Sequence, residues 1–70
     1  MDRKRVNSSQ IRSVGYDASR QSLEIEFSNG SILEYASVSP EVHRRLMAAP
    51  SIVSCYRDTI EDEFTSRRIR

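Results

Sequence analysis

The chain has 70 residues, of which 37% are hydrophobic and 30% are charged, and its formal net charge is +1. This length accommodates a single domain, and the composition excludes a chain that is disordered throughout. No apolar run approaches the ~18 residues of a membrane span, and the basic, polar start lacks the apolar stretch of a signal peptide. We therefore expect a small cytoplasmic protein, a monomer, that makes no contact with membranes.

Few residues offer chemistry for catalysis or metal binding. Cys55 is the single cysteine and His43 the single histidine, so an internal disulfide and a multi-cysteine metal site are excluded. A Cys55–His43 pair would have to meet across a helix hairpin, and a surface histidine beside a half-buried cysteine is the favoured alternative. The two glycines form no phosphate-binding or dinucleotide pattern. We expect no enzymatic activity, no metal and no cofactor.

The first ten residues are basic and polar, and we expect residues 1–10 to form a mostly flexible N-terminal segment. Residues 11–17 then predict a first strand, since Val14 and Tyr16 are β-formers. Gly15 within this strand indicates a bulge or a close backbone approach. The polar residues 17–21 predict a turn, which leads into a second strand.

Residues 22–35 have the pattern of a β-hairpin. Apolar and acidic residues alternate through Leu23 to Phe27, and Asn29-Gly30 supplies residues that tolerate a positive φ. A two-residue turn would place the Glu34 carboxylate on the apolar face, where burial is costly. A loop formed by residues 28–30, with Gly30 left-handed, shifts the pairing by one residue. We choose this bulged register, in which the third strand runs from about residue 31 to residue 37.

The bulged register places Ile25 opposite Leu33 and Leu23 opposite Tyr35. It also places Glu24 opposite Glu34, a repulsion of under ~1 kcal/mol in water. The predicted core face consists of Val14, Tyr16, Leu23, Ile25, Phe27, Leu33 and Tyr35.

Two helices are predicted after the hairpin. Ser39-Pro40-Glu41 has the cap, proline and carboxylate of a helix start, Val42, Leu46 and Ala49 form an apolar stripe, and Pro50 ends the helix. Ser51 caps a second helix, whose apolar stripe extends to about Phe64 and comprises Ile52, Val53, Tyr56, Ile60 and Phe64.

This order predicts an α+β fold: a three-stranded antiparallel β-meander followed by two α-helices packed on one face of the sheet. The folded domain is predicted to span residues 11–64, and residues 65–70 to form a frayed basic tail.

The distribution of charge limits where RNA could contact the domain. Glu24, Glu26 and Glu34 are expected to make the exposed face of the sheet acidic, so RNA would have to contact the helix side or the termini. Ten of the eleven basic residues are arginine, which holds phosphates, and tyrosines stack on bases or pack in the core. Our candidate binding residues are Arg12, Tyr35, Arg44, Arg45, Tyr56 and Arg57.

Several segments resemble the KTSC domain family. The matching residues are the opening at 8–17, Leu23 to Phe27, Asn29-Gly30, Tyr35, Val38, Pro40 and Val42. Members of this family occur alone in bacteria and at the C-terminus of some lysyl-tRNA synthetases. The resemblance therefore implies RNA or tRNA as the partner. The alternative is a protein-interaction module that uses a helix face or a free sheet edge.

The chain departs from the family pattern at four places, one of which is an acidic residue near Glu61 where the family has an arginine. Leu33 stands where the family has the first tyrosine of a Tyr-x-Tyr motif, and His43 stands where another aromatic residue is usual. Residues 51–57 replace a Lys, a Gly and an aromatic residue of the family. If those positions bind RNA in relatives, the resemblance implies weaker binding here.

Overall fold

The fold, described for residues 3–6 and 8–70 in a computed structural model, combines one antiparallel sheet with two helices. The strands are β1 (Arg3–Arg5), β2 (Ile11–Asp17), β3 (Ser22–Phe27), β4 (Ile32–Tyr35) and β5 (Ser66–Arg68), and the helices are α1 (Pro40–Ala48) and α2 (Ile52–Thr59). The strands lie in the sheet in their sequence order, with each antiparallel to its neighbours. The α+β class is confirmed.

The predicted count of three strands is wrong, because residues 3–6 and 8–70 form a sheet of five. Strand β1 lies within the predicted N-terminal segment and pairs with β2, and β5 lies within the predicted tail and pairs with β4. Both added strands have only three residues and consist mainly of arginine, so neither shows the apolar alternation by which a strand is recognised. Their backbones form hydrogen bonds with β2 and β4, which are the outer strands of the predicted three-stranded sheet.

The hairpin adopts the bulged register that the sequence favours. Ile25 pairs with Leu33, and Glu24 pairs with Glu34. Gly30 has a φ of +93°, and its N–H donates to the Phe27 carbonyl at 3.0 Å. In this register the Glu34 carboxylate does not lie on the core face, where its burial would be unfavourable.

Replacing Gly30 by alanine is expected to cost about 1–2 kcal/mol of unfolding free energy, because a Cβ disfavours a positive φ. No heavy atom outside the turn lies within 4 Å of the position of that Cβ, so the loss would come from the backbone rather than from a clash. Urea unfolding followed by circular dichroism measures it. Ser31→Ala is the matched control, since Ser31 contributes backbone hydrogen bonds to this turn, and an equal loss in both variants would contradict the argument.

Gly15 is not the site of a bulge. It pairs regularly with Arg3 on one side and Glu24 on the other, and the irregularity of β2 lies between Ile11 and Ser13. Of the two alternatives predicted for Gly15, the bulge is therefore wrong.

Helix α1 begins as predicted, with Ser39 as its cap. The Ser39 Oγ accepts from the Val42 N–H at 3.4 Å, Pro40 occupies the first turn, and the helix ends at Ala48, just before Ala49 and Pro50.

Helix α2 is shorter than the predicted helix, which extended to about Phe64. Its Ser51 cap is confirmed, but the helix ends at Thr59, and a turn follows in which Glu63 N–H donates to the Ile60 carbonyl. Ile60 and Phe64 still pack on the core. The chain has to reverse here for β5 to reach β4. Within the described part of the chain, no helix is long and apolar enough to cross a membrane.

The core lies between the helices and one face of the sheet. One cluster joins Val14, Leu23, Ile25 and Tyr35 of the sheet with Leu46, Tyr56 and Ile60 of the helical region. Phe27, Leu33 and Tyr16, which were predicted to be core residues, are half-buried against this cluster. The helices therefore cover the predicted apolar face.

The opposite face of the sheet is not the acidic surface that the sequence predicts. The Glu34 carboxylate pairs with Arg67 at 2.9 Å, and Glu26 pairs with Arg70 at 3.2 Å and with Arg12 at 3.7 Å. Two of these arginines belong to the C-terminal segment that was expected to fray. Ile69 and Arg70 of this segment also form backbone hydrogen bonds with Ile32. The Ile32 side chain lies on the same face of the sheet as Glu26 and Glu34, and only 2% of its surface is exposed.

Candidate functional site

A cleft of about 670 Å³ lies where α1 meets β1 and β2. Tyr16 of β2 forms one wall, and its hydroxyl donates to the Val38 carbonyl at 2.5 Å. Burial, followed by the nearby Asp17 carboxylate, raises the pKa of Tyr16, so this hydroxyl keeps its proton at neutral pH. The hydrogen bond joins the ring to the segment before α1 and holds its orientation.

His43 of α1 stacks on Tyr16. The ring centroids are 4.5 Å apart, and the planes differ by 9°. The first turn of α1, ordered by its Ser39 cap, places His43 on the side of the helix that faces β2. We name the space lined by these two rings the Tyr16–His43 cleft.

The imidazole of His43 is expected to titrate below its ordinary range, because burial lowers its pKa. The unfolded chain then binds a proton more readily than the folded chain, so stability falls as the pH drops from 6.5 toward the folded pKa. Since His43 is the only histidine, its proton NMR signal can be followed without ambiguity in buffer and in urea. A folded pKa equal to or above the value in urea would contradict the buried stack.

The lining of the Tyr16–His43 cleft combines basic and apolar side chains. Lys4 of β1 and Arg44 of α1 line it, and both side chains are exposed. Val14 and Met47 contribute apolar surface. Two stacked rings and two cations in one lining form a site suited to a ligand that has a flat apolar part and negative charge.

The structure separates Arg44 from Arg45, two neighbouring candidate binding residues. Successive residues of a helix point about 100° apart, and only Arg44 lines the Tyr16–His43 cleft. Arg45 is exposed in the last turn of α1. Arg12 is farther away, on the other face of the sheet, where it donates to the Ser28 carbonyl and pairs with Glu26.

The other three predicted residues come together in a second cleft of about 360 Å³ beside α2. Tyr35 and Tyr56 are 1% and 6% exposed, their rings meet edge to face, and their hydroxyl oxygens are 2.5 Å apart. Arg57 lies at the rim and donates to the Gln10 Oε1 at 3.1 Å. We name this space the tyrosine-pair cleft. Its tyrosines pack in the core and have little surface on which a base could stack.

Lys4 and the Tyr16–His43 stack are features that sequence reasoning missed. The alternation of β2 places Tyr16 on the apolar face, and His43 follows the apolar Val42 on α1. No local signal reports that these rings meet, because they are separated by 27 positions along the chain. Lys4 was missed because its strand was not recognised.

The described residues do not bring the candidate catalytic pair into one site. His43 stacks on Tyr16, whereas the Cys55 Sγ lies 3.7 Å from the Thr59 Oγ1 one turn along α2. Among the described residues, no group of three or more His, Cys, Asp or Glu side chains is arranged to hold a metal ion.

Comparisons with known proteins give a family for this chain. The model of the KTSC domain matches residues 7–64. An uncharacterized protein of Stutzerimonas stutzeri (strain A1501) is 46% identical over 52 residues, which cover 74% of this chain and 73% of the relative. A protein of Tsukamurella paurometabola is 44% identical over 46 residues, 66% of this chain and 69% of its own length.

A solved structure agrees over nearly the whole chain. The crystal structure of a KTSC domain protein from Yersinia pestis has a TM-score of 0.93 and 34% sequence identity, and the match covers 99% of this chain and 97% of that one. The two structures therefore share the complete fold. Family match and structural likeness agree, and the chain belongs to the KTSC domain family.

Proposed function

We propose that this protein is a non-catalytic binding module whose ligand is single-stranded RNA, bound in the Tyr16–His43 cleft. The observation that carries the proposal is the position of Lys4 and Arg44 beside two stacked rings. Unpaired bases stack on aromatic side chains, and cations track the phosphates between them. Burial keeps His43 largely neutral, so its ring offers a stacking surface.

The free cations of the helix side favour this cleft over the opposite face of the sheet. There, Arg12, Arg67 and Arg70 are engaged with Glu26 and Glu34. An arginine held by a carboxylate has to give up that partner before it binds a phosphate. Lys4 and Arg44 are exposed, and no described carboxylate lies within ion-pair distance of either.

The test is a fluorescence-anisotropy titration of a labelled single-stranded RNA over a salt series. Two phosphate contacts predict a slope of log K against log salt of about −1.4, and Arg44→Ala should reduce it to about −0.7 and weaken binding about tenfold at low salt. Arg45→Ala is the matched control, because it removes the same charge one position along the helix, outside the cleft.

Absence of RNA binding at tens of micromolar protein in low salt would overturn the proposal. Equal effects of Arg44→Ala and Arg45→Ala would show that net charge, rather than the cleft, attracts the RNA.

The alternative of a protein-interaction module has less support. β2 and β4, which would be the edges of a three-stranded sheet, are paired with β1 and β5. The new edges are short and rich in arginine, a composition that discourages the addition of another strand. Ile69 is the only large hydrophobic residue exposed in the described part of the chain, so no apolar patch marks a docking face. We accordingly propose a monomer that acts in the cytoplasm, where the free thiol of Cys55 stays reduced.

A further inference from the structure

The tyrosine-pair cleft lies apart from the proposed RNA site and has its own chemistry. Ile11, Phe27, Leu33 and Val53 give it apolar walls. Polar groups of Tyr35, Tyr56, Arg57 and Glu61 also line it. A cleft with apolar walls and a few convergent polar groups is the usual form of a small-molecule site.

The hydroxyls of Tyr35 and Tyr56 together have two protons, and the hydrogen bond between them needs only one. Each tyrosine hydroxyl has one proton, and the bond between Tyr35 and Tyr56 consumes one of the two. No other hydrogen bond joins either hydroxyl to the described residues. Burial, above all, raises the pKa of both groups, so both protons are present at neutral pH. The second proton is available to an acceptor in the cleft.

The surrounding charges decide which acceptor fits. Glu61 lines the cleft, and its carboxylate and that of Asp62 act on both tyrosine hydroxyls, whereas the Arg57 guanidinium opposes them at Tyr56. Two carboxylates against one guanidinium near the hydroxyls disfavour an anionic acceptor such as a carboxylate. An ammonium ion has no lone pair to accept the spare proton. An uncharged carbonyl group satisfies both conditions.

We propose that the tyrosine-pair cleft binds a small uncharged carbonyl compound, a carboxamide on a compact apolar body. The carbonyl oxygen accepts the spare hydroxyl proton, and the amide N–H₂ faces the Glu61 carboxylate. The apolar body lies against Phe27, Leu33 and Val53.

Three probes of similar size test the requirement for an uncharged ligand. At neutral pH benzamide is uncharged, benzoate is an anion and benzylamine is a cation, and each is titrated into ¹⁵N-labelled protein. Benzamide is expected to shift amide signals of residues lining the tyrosine-pair cleft, with a Kd on the order of 1 mM, as suits so small a ligand. Benzoate and benzylammonium are expected to bind at least about tenfold more weakly, a difference of 1.4 kcal/mol.

Tyrosine variants test the proton count. Tyr35→Phe and Tyr56→Phe each remove the bond between the hydroxyls but leave one free proton, so each should bind benzamide within about threefold of the parent chain. The double variant has no hydroxyl proton and should lose at least about tenfold. His43→Gln, in the other cleft, is the control and should leave benzamide affinity unchanged.

Three results would overturn the proposal: no saturable shifts with benzamide, benzoate binding as tightly as benzamide, or undiminished affinity in the folded double variant. If the double variant fails to fold, the comparison of the three probes on the parent chain decides alone. RNA affinity depends on the Tyr16–His43 cleft, so its loss or survival does not affect this outcome.

Discussion

Replacing Leu46 by alanine is expected to lower the free energy of unfolding by about 3 kcal/mol. Leu46 is the fully buried residue of α1, with 0% of its surface exposed, and it lies in the cluster that joins this helix to the sheet. A 70-residue domain has a total stability of about 5 kcal/mol, so this loss would leave little margin. Because α1 also carries His43 and Arg44, loosening of this helix should also weaken the proposed binding of RNA.

Met47→Ala is the matched control for Leu46→Ala. Met47 is the next residue of α1, but it is half-buried and lines the Tyr16–His43 cleft. Its truncation should cost about 1 kcal/mol or less, since less of its surface leaves water on folding. Urea unfolding measured by circular dichroism compares the two variants. Similar losses would contradict the assignment of Leu46 as the anchor of α1.

The buried pair Tyr35 and Tyr56 should show strong coupling in a double-mutant cycle. Either single change to phenylalanine leaves the other hydroxyl in the core without its partner, at a cost of about 1–3 kcal/mol. Changing both removes the two polar groups together while keeping the edge-to-face rings. The double variant should therefore lose less stability than the sum of the single losses, by about 1 kcal/mol or more.

Urea unfolding of the parent chain and the three variants measures this coupling energy. Losses that simply add would show that the two hydroxyls do not stabilise each other. Tyr35 and Tyr56 should also resist deprotonation in a spectrophotometric titration of the parent chain, because burial raises the pKa of both above the ordinary value. Tyrosines that titrate normally in the folded protein would argue against the buried pair.

The hairpin register was predictable because a strong local conflict decides it. A two-residue turn would place the Glu34 carboxylate on the apolar face, and Gly30 allows the alternative without strain. The start of each helix was predictable for a similar reason, since Ser39 and Ser51 cap with their own side chains. These features depend on residues that are close together in the chain.

The terminal strands were not predictable in this way. Strands β1 and β5 have no apolar alternation, and their positions depend on backbone partners and on ion pairs such as Arg67 with Glu34. Helix α2 ends at Thr59 although its apolar spacing continues to Phe64, because the chain turns back toward β4. The spacing predicted which residues face the core but not where the helix stops.

The six predicted binding residues divide among four places. Arg44 lies at the Tyr16–His43 cleft, and Tyr35, Tyr56 and Arg57 lie at the tyrosine-pair cleft. Arg12 pairs with Glu26 on the far face, and Arg45 lies on the exposed side of α1. Residue type alone cannot group them, because a site requires that side chains from different elements converge.

By itself, the sequence determined the α+β class, the hairpin register and the helix starts, since short-range sterics, capping and apolar periodicity decide them. Tertiary structure alone decided the five-stranded sheet, the neutralised sheet face and the contents of both clefts. The Tyr16–His43 stack and the hydroxyl pair each join residues more than 20 positions apart. Such contacts form only when the whole chain has packed, because the entropy of closing long loops must first be offset by burial of the core.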